Sequence, residues 1–250
     1  MKKRKIINPA IEVSHSAAEL EQSAAERIIL LINKSIGERG VCFVALSGGE
    51  TPRPVYRLLG TDLMKDRVDW KCVQLFFTDE RAVPPDDSQS NYGMVHRELI
   101  SKIGIPPGNV HRIKGELKPE LAASEYEEEL WEIFSSRNVR FDLVLLGLGE
   151  DGHTASIFPG SEIVKEENKF VAAIFVPRLS SWRVTLTFPG LNNAREILFL
   201  VSGRQKAAIV QRVLGAPDPV QGLPAAMVRP AEGNLLWMLD KDAAGDYGKL

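Results

Sequence analysis

Only two cysteines stand in the 250 residues, Cys42 and Cys72. That excludes a disulfide-framed scaffold, and no C-x-x-C pair offers a zinc or redox motif. Each lies within an apolar run, VCFVAL or CVQLFF, and reads as a buried strand thiol. A nucleophilic cysteine would instead sit in a loop or at a helix start. An excess of one charge is also missing. The chain has 31 Lys and Arg against 33 Asp and Glu, a net charge of -2, and so no electrostatic footprint for nucleic acid. The one basic run, MKKRK, precedes INPAIEVSHS, which lacks the apolar core of a signal peptide. No uninterrupted apolar stretch is long enough to span a bilayer. Repeats, low-complexity tracts and linkers are absent too. The expectation is one cytoplasmic domain over residues 1–250, with no nucleic-acid or membrane partner and an oligomeric state left open.

What is present is a series of short apolar runs with helical segments between several of them. VCFVAL, CVQLFF, FDLVLLG, FVAAIFV, WRVTLTF, EILFLV and NLLWML read as strands. Apolar residues at helical spacing predict a helix from Ser16 to Ser35, with others at TPRPVYRLLG, Asn91–Ile103, Lys118–Phe134 and Arg204–Leu214. Continuous apolar strands separated by helices predict an α/β fold, a doubly wound, largely parallel sheet with helices on both faces. WRVTLTF alternates more and suits an edge or antiparallel position. Ligands of such sheets bind beyond the carboxyl ends of the strands, which here carry SGGETP, TDERAVP and GLGEDGHTAS.

In SGGETP, two glycines permit a tight turn with bare amides, Thr51 suits an N-cap, and Pro52 suits the first helical position. Amides at a helix N-terminus attract an anion such as phosphate; a tight turn without ligand is the plain alternative. TDERAVPPDDSQSN gathers Asp79, Glu80 and Arg81 after a strand. A solvated loop is its plain reading, but Asp79 could act as a base or orient a partner, and Arg81 could fork onto an anionic substrate. GLGEDG spells G-x-G-x-x-G, a dinucleotide-binding turn. Yet Pro159-Gly160 interrupts the helix such a turn requires, and the next strand ends in proline rather than in an acidic residue for the ribose. The literal match fails, and no cofactor is expected. What remains is Glu150, Asp151 and His153 on a loop at a strand end, a histidine able to take a proton from water with a carboxylate nearby. His15 and His96 fall at or inside helices and His111 in a loop. A metal held by Asp79, Asp151 and His153 is set aside, since one histidine without ligand spacing makes a poor site. Arg183 and Lys206 are surface cations unless they converge on the SGG loop, where a phosphate dianion would need their charge.

SGGETP, TDERAVP with SQSN behind it, LGLGEDGHTASIFPG, RVTLTFPGLNNA and SGRQKA occur in this order. Together they resemble the 6-phosphogluconolactonase family, in the superfamily shared with glucosamine-6-phosphate deaminases, across essentially the whole chain. The resemblance implies a Rossmann-like fold and a cofactor-free hydrolase of the oxidative pentose phosphate pathway that opens 6-phospho-D-glucono-1,5-lactone. It implies a phosphate site of Ser47, Gly48, Gly49, Thr51, Arg183 and Lys206. His153 is implied as the base with Asp151 beside it, and Asp79, Arg81 and Asn91 match the family's DER and SN pairs. Asp151 or Asp79 would steady the imidazole. Arg81 or a loop amide would meet charge on the carbonyl oxygen.

The deaminase relatives are the alternative, but they typically continue GEDGH with an F-N-E-P-like sequence and carry D-E-Y where this chain has DER. A non-catalytic sugar-phosphate sensor is a further alternative, disfavoured by the intact acid–base loops. Glu50 departs from the family's SGGSTP; beside a phosphate it must face away or pair with a cation such as Arg53.

Overall fold

The computed structural model describes residues 9–136, 138–215 and 222–247, so the basic run MKKRK lies outside the described residues. The chain opens with β1 (Ala10–Ser14) and α1 (Ala17–Arg39). Ser16 Oγ accepts the Glu19 amide at 3.2 Å, and Glu19 Oε2 accepts the His15 amide at 2.8 Å, a reciprocal pair that fixes the helix start. The helix runs past the expected Ser35 to a left-handed cap at Gly40.

Next come β2 (Cys42–Leu46), α2 (Pro52–Leu59), β3 (Val73–Phe77), β4 (Asp79–Arg81), α3 (Asn91–Glu98), α4 (Pro119–Ile133) and β5 (Leu143–Leu146). The remainder is β6 (Val171–Val176), β7 (Ser181–Leu186), α5 (Phe188–Leu191), β8 (Glu196–Val201), α6 (Ala207–Leu214), α7 (Pro224–Met227), β9 (Asn234–Asp240) and α8 (Lys241–Ala244). The helix expected to reach Ile103 ends at Glu98 and is followed by a short 3-10 turn, Ile100–Lys102.

Six strands form a parallel sheet in the order β1-β9-β8-β5-β2-β3. Adjacent residues on β2 show that both faces are covered, because neighbouring strand side chains point to opposite sides. The Cys42 thiol meets Ser35 of α1, while the Phe43 ring packs 4.5 Å from that of Phe134 at the end of α4. Burial pushes the Cys42 thiol up to about 12, so it packs as an apolar group. Cys72 closes a 3-10 turn, Trp70–Cys72, and is half-buried rather than within the strand. Phe76, Phe141 and the stacked pair Phe199 and Trp237 add to the core, each such buried side chain contributing about 1.5–3 kcal/mol against chain entropy.

Two expected strands leave this sheet. β6 and β7 form a separate antiparallel sheet with β4, in the order β4-β7-β6. Only Pro177–Ser180 separate β6 from β7, far short of the dozen or more residues a parallel crossover needs, so the pair closes as a hairpin. The WRVTLTF run is antiparallel but central in its sheet. Asp79–Arg81, expected in a loop, are its edge strand. β1 carries little apolar signal; it pairs with β9 through its backbone while most of its side chains stay at least partly exposed. No helix among the described residues is long and apolar enough to cross a membrane.

Candidate active site

β2 and β5 are neighbours, and the chain passes from β2 to β3 on one side and from β5 on to β8 on the other. This switch in strand order opens a crevice at the carboxyl ends. The loops after β2 and β5, and the passage from β3 into β4, all issue from that edge.

The loop after β2 carries Ser47 to Thr51. Thr51 stands at the N-cap of α2, yet its hydroxyl makes no capping bond, contrary to the expected cap. Among the described residues, the amides of Gly48, Gly49, Glu50 and Thr51 donate to no backbone acceptor. Gly48 is required sterically, since a Cβ there would lie 1.7 Å from Asn91 Oδ1. Asn91 Nδ2 in turn donates to the Asp79 carbonyl at 2.9 Å. Asn91 thus holds the SGG loop against the DER strand. Glu50 swings outward and pairs with Arg53 at 3.2 Å.

Glu80, a solvated charge on the plain reading of its loop, is buried. Its carboxylate accepts the amides of Arg81 (2.8 Å), Asn91 (2.7 Å) and Tyr92 (2.8 Å) and the Ser90 hydroxyl (3.0 Å). Burial pushes its carboxyl up against the opposing pull of these donors. The acid organises the start of α3 and so places Asn91. Asp79 is buried too, with Oδ2 accepting from Ser156 Oγ at 2.7 Å and Oδ1 from Thr78 Oγ1 at 3.2 Å. It ties the DER strand to the loop after β5 and makes no hydrogen bond to His153 among the described residues.

That loop is a tight turn, with the Gly149 amide donating to the His153 carbonyl and Gly152 to Gly149, both at 2.9 Å. His153 Nδ1 lies 2.5 Å from Asp151 Oδ1, which also accepts the His153 amide at 3.1 Å. Nε2 makes no hydrogen bond among the described residues and is left for other chemistry. Gly149 makes the pair possible, because a Cβ there would fall 2.0 Å from His153 Nδ1 and 2.7 Å from Asp151 Oδ1. Burial works to raise the Asp151 carboxyl, but the His153 hydrogen bonds and the charge of Arg178 outweigh it and hold the carboxyl below its usual range.

Arg81 and Arg183 stand opposite each other in the β4–β7 register. Arg81 Nη1 donates to the Gln89 carbonyl. Arg183 Nη1 donates to Ser181 Oγ (2.5 Å) and to the Trp182 carbonyl (3.1 Å). Neither has a carboxylate partner within ion-pair distance among the described residues. Burial first, then the like charge of Arg81, pushes the Arg183 guanidinium down. Two guanidiniums side by side, neither in a direct ion pair among the described residues, favour a dianion. Lys206 closes a 3-10 turn before α6, and Gly203 and Gln205 of that segment line a cavity of about 220 Å³ together with Glu50 and Thr51. The loops after β2 and β8 therefore meet.

The sequence missed Ser156, whose buried hydroxyl holds Asp79, and Arg178 on the β6–β7 turn. Ser156 stands at the end of GLGEDGHTAS, and Arg178 in VPRLSS, without a local signal. His111 is a satisfied core histidine between Glu129 and Gln74, both at 2.8 Å, and stacks on Phe76.

Residues 15–237 match the family described as Glucosamine-6-phosphate isomerases/6-phosphogluconolactonase. The chain is 40% identical to a 6-phosphogluconolactonase of Rattus norvegicus, over 91% of this chain and 88% of the relative. It is 37% identical to one of Haemophilus influenzae, over 80% and 85%. Among solved structures it resembles the 6-phosphogluconolactonase of Thermotoga maritima with a TM-score of 0.81 and 34% identity, covering 93% of this chain and all of that one.

Proposed function

The chain belongs to the glucosamine-6-phosphate isomerase/6-phosphogluconolactonase family, and we propose that it is a 6-phosphogluconolactonase acting through His153. It is a hydrolase that converts 6-phosphoglucono-1,5-lactone to 6-phosphogluconate, with the cytoplasm as its expected compartment. The observation that carries the mechanism is the 2.5 Å contact between His153 Nδ1 and Asp151 Oδ1, which leaves Nε2 uncommitted.

In this reading Nε2 takes a proton from water as the oxygen attacks the lactone carbonyl. Asp151 fixes the tautomer and stabilises the imidazolium. Collapse of the tetrahedral intermediate breaks the bond to the ring oxygen, which receives the same proton and leaves as a hydroxyl. Asp79 acts at one remove, holding the catalytic loop through Ser156. The phosphate is assigned to Ser47, the amides of Gly48 and Gly49, Thr51, Arg81, Arg183 and Lys206, with Asn91 fixing the loop. Binding at this remote group supplies orientation at the reacting carbon.

The test is acid release from freshly generated lactone, corrected for spontaneous hydrolysis, with glucosamine 6-phosphate assayed in parallel. Turnover of the lactone alone is expected, and ammonia release would point to the deaminase branch. His153→Ala is expected to lower kcat roughly 10²–10⁴-fold; turnover near that of the parent would remove His153 from the mechanism.

A further inference from the structure

The β6–β7 turn supplies a residue to the site that neither its own sheet nor the catalytic loop accounts for. Arg178 sits in the 3-10 turn Pro177–Leu179, closed by Ser180 at φ 46° with its amide on the Pro177 carbonyl at 3.0 Å. From there Arg178 Nη2 reaches Asp151 Oδ2 at 2.6 Å. Its guanidinium carbon lies 4.9 Å from the Phe158 ring centroid, and the same ring lies 4.5 Å from the His153 ring. One carboxylate thus has His153 on one oxygen and Arg178 on the other, and one aromatic ring touches both partners.

We infer that Arg178 is a positioning residue for the general base, acting on His153 through Asp151 and Phe158. The inference rests on the reading of His153 as that base. Asp151 has two rotatable side-chain bonds and, without Arg178, is held among the described residues only by the histidine it is meant to orient. A guanidinium on Oδ2 fixes the carboxylate plane so that Oδ1 meets Nδ1. The same positive charge lies across the carboxylate from His153 and so acts on the imidazolium that forms during turnover. The charged groups acting on Asp151 are His153 on its own loop and Arg178 on the hairpin. Lys165 and Arg212 share the cleft that Asp151 and Arg178 line, and Glu150 adjoins Asp151 in the chain.

The experiment compares the full chain with Arg178→Gln and Arg178→Lys, following kcat and KM for fresh 6-phosphogluconolactone from pH 5 to 8. With Gln, kcat is expected to fall about 10-fold to 10²-fold while KM stays within about twofold. The acid limb should move up by about half to one pH unit, since a neighbouring positive charge has been removed. Lys keeps the charge but not the fork or the flat face. Its limb should stay in place and its kcat should lie between the other two. A profile that superimposes on the parent, or a loss confined to KM, overturns the inference, the second because it makes Arg178 a substrate contact. Arg178 is half exposed, so both variants are expected to fold, and the limb position in Arg178→Lys is diagnostic independently of Arg178→Gln. His153→Ala run alongside separates the two readings. If it stays active, the proposed base is wrong. If it is inactive while the Arg178 profiles match the parent, only the positioning role falls.

Discussion

Two aspartates bracket strand β5 and are built from similar parts for opposite ends. Asp142, just before the strand, is 3% exposed and takes Arg39 Nε at 3.0 Å, Arg195 Nε at 3.2 Å and the Phe43 amide at 2.9 Å. Asp151, just after it, takes Arg178 at 2.6 Å and His153 at 2.5 Å, with its side chain 27% exposed. At the amino-terminal edge the named partners are permanently charged or a backbone amide, so the carboxylate stitches α1, β2, β5 and the approach to β8 together. At the carboxyl-terminal edge one partner is titratable, and its far nitrogen makes no hydrogen bond among the described residues. In the proposed mechanism the second arrangement gives up packing to keep a proton in play.

The sharpest way to break this comparison is to neutralise Asp151. Asp151→Asn keeps the shape but not the charge that stabilises the imidazolium, and kcat on fresh lactone is expected to fall about 10²–10³-fold with the melting temperature little changed. An active variant would make the two aspartates equivalent anchors.

Asp142→Ala should do the reverse. It leaves Arg195 without its carboxylate, Arg39 with Glu38 alone and the Phe43 amide unpaired, a loss of about 3 kcal/mol, near the low end for broken buried ion pairs because both arginines can turn to solvent. Urea titration should show the midpoint falling at constant slope, while kcat per folded molecule holds.

The smallest effect is the pH dependence of stability. The Asp151 carboxyl is held below its usual range, so its contribution is complete above the unfolded value of about 3.9 and is lost as pH falls through the lower folded value. Melting curves of the parent and of Asp151→Asn should therefore converge as pH drops through that window. Curves that stay parallel would mean that folding does not depress this carboxyl.

Much of this site was legible in the sequence because its loops follow continuous apolar strands, and a doubly wound sheet gathers such loops at one edge. His153, Asp151 and the SGG loop could be placed on that ground. Arg178 could not, because its role depends on how a hairpin tip from another sheet is aimed. Glu80 read as solvated, since nothing local shows that it will be buried under the start of α3. FVAAIFV has the composition of a parallel core strand, and only the shortness of Pro177–Ser180 takes it out of the large sheet. AIEVS buries too little apolar surface to stand out from a loop. In each case the missing information was tertiary.

Thr78 is the seam between the two sheets. Its amide donates to the Leu46 carbonyl of the parallel sheet at 2.9 Å, and its own carbonyl accepts the Leu186 amide of the antiparallel one at 2.7 Å. Thr185, beside Leu186, lies 107 residues downstream of Thr78. At roughly 5–20 residues per second of synthesis, the nascent chain carries Asp79 and Glu80 for about 5–20 s before their partner strand exists. Local helices and the β2–β3 pair can form in that interval, but the pocket cannot close. The pairing of the DER strand is therefore timed by the arrival of β7, well after the loop that follows β2 has been made, and Lys206 comes later still.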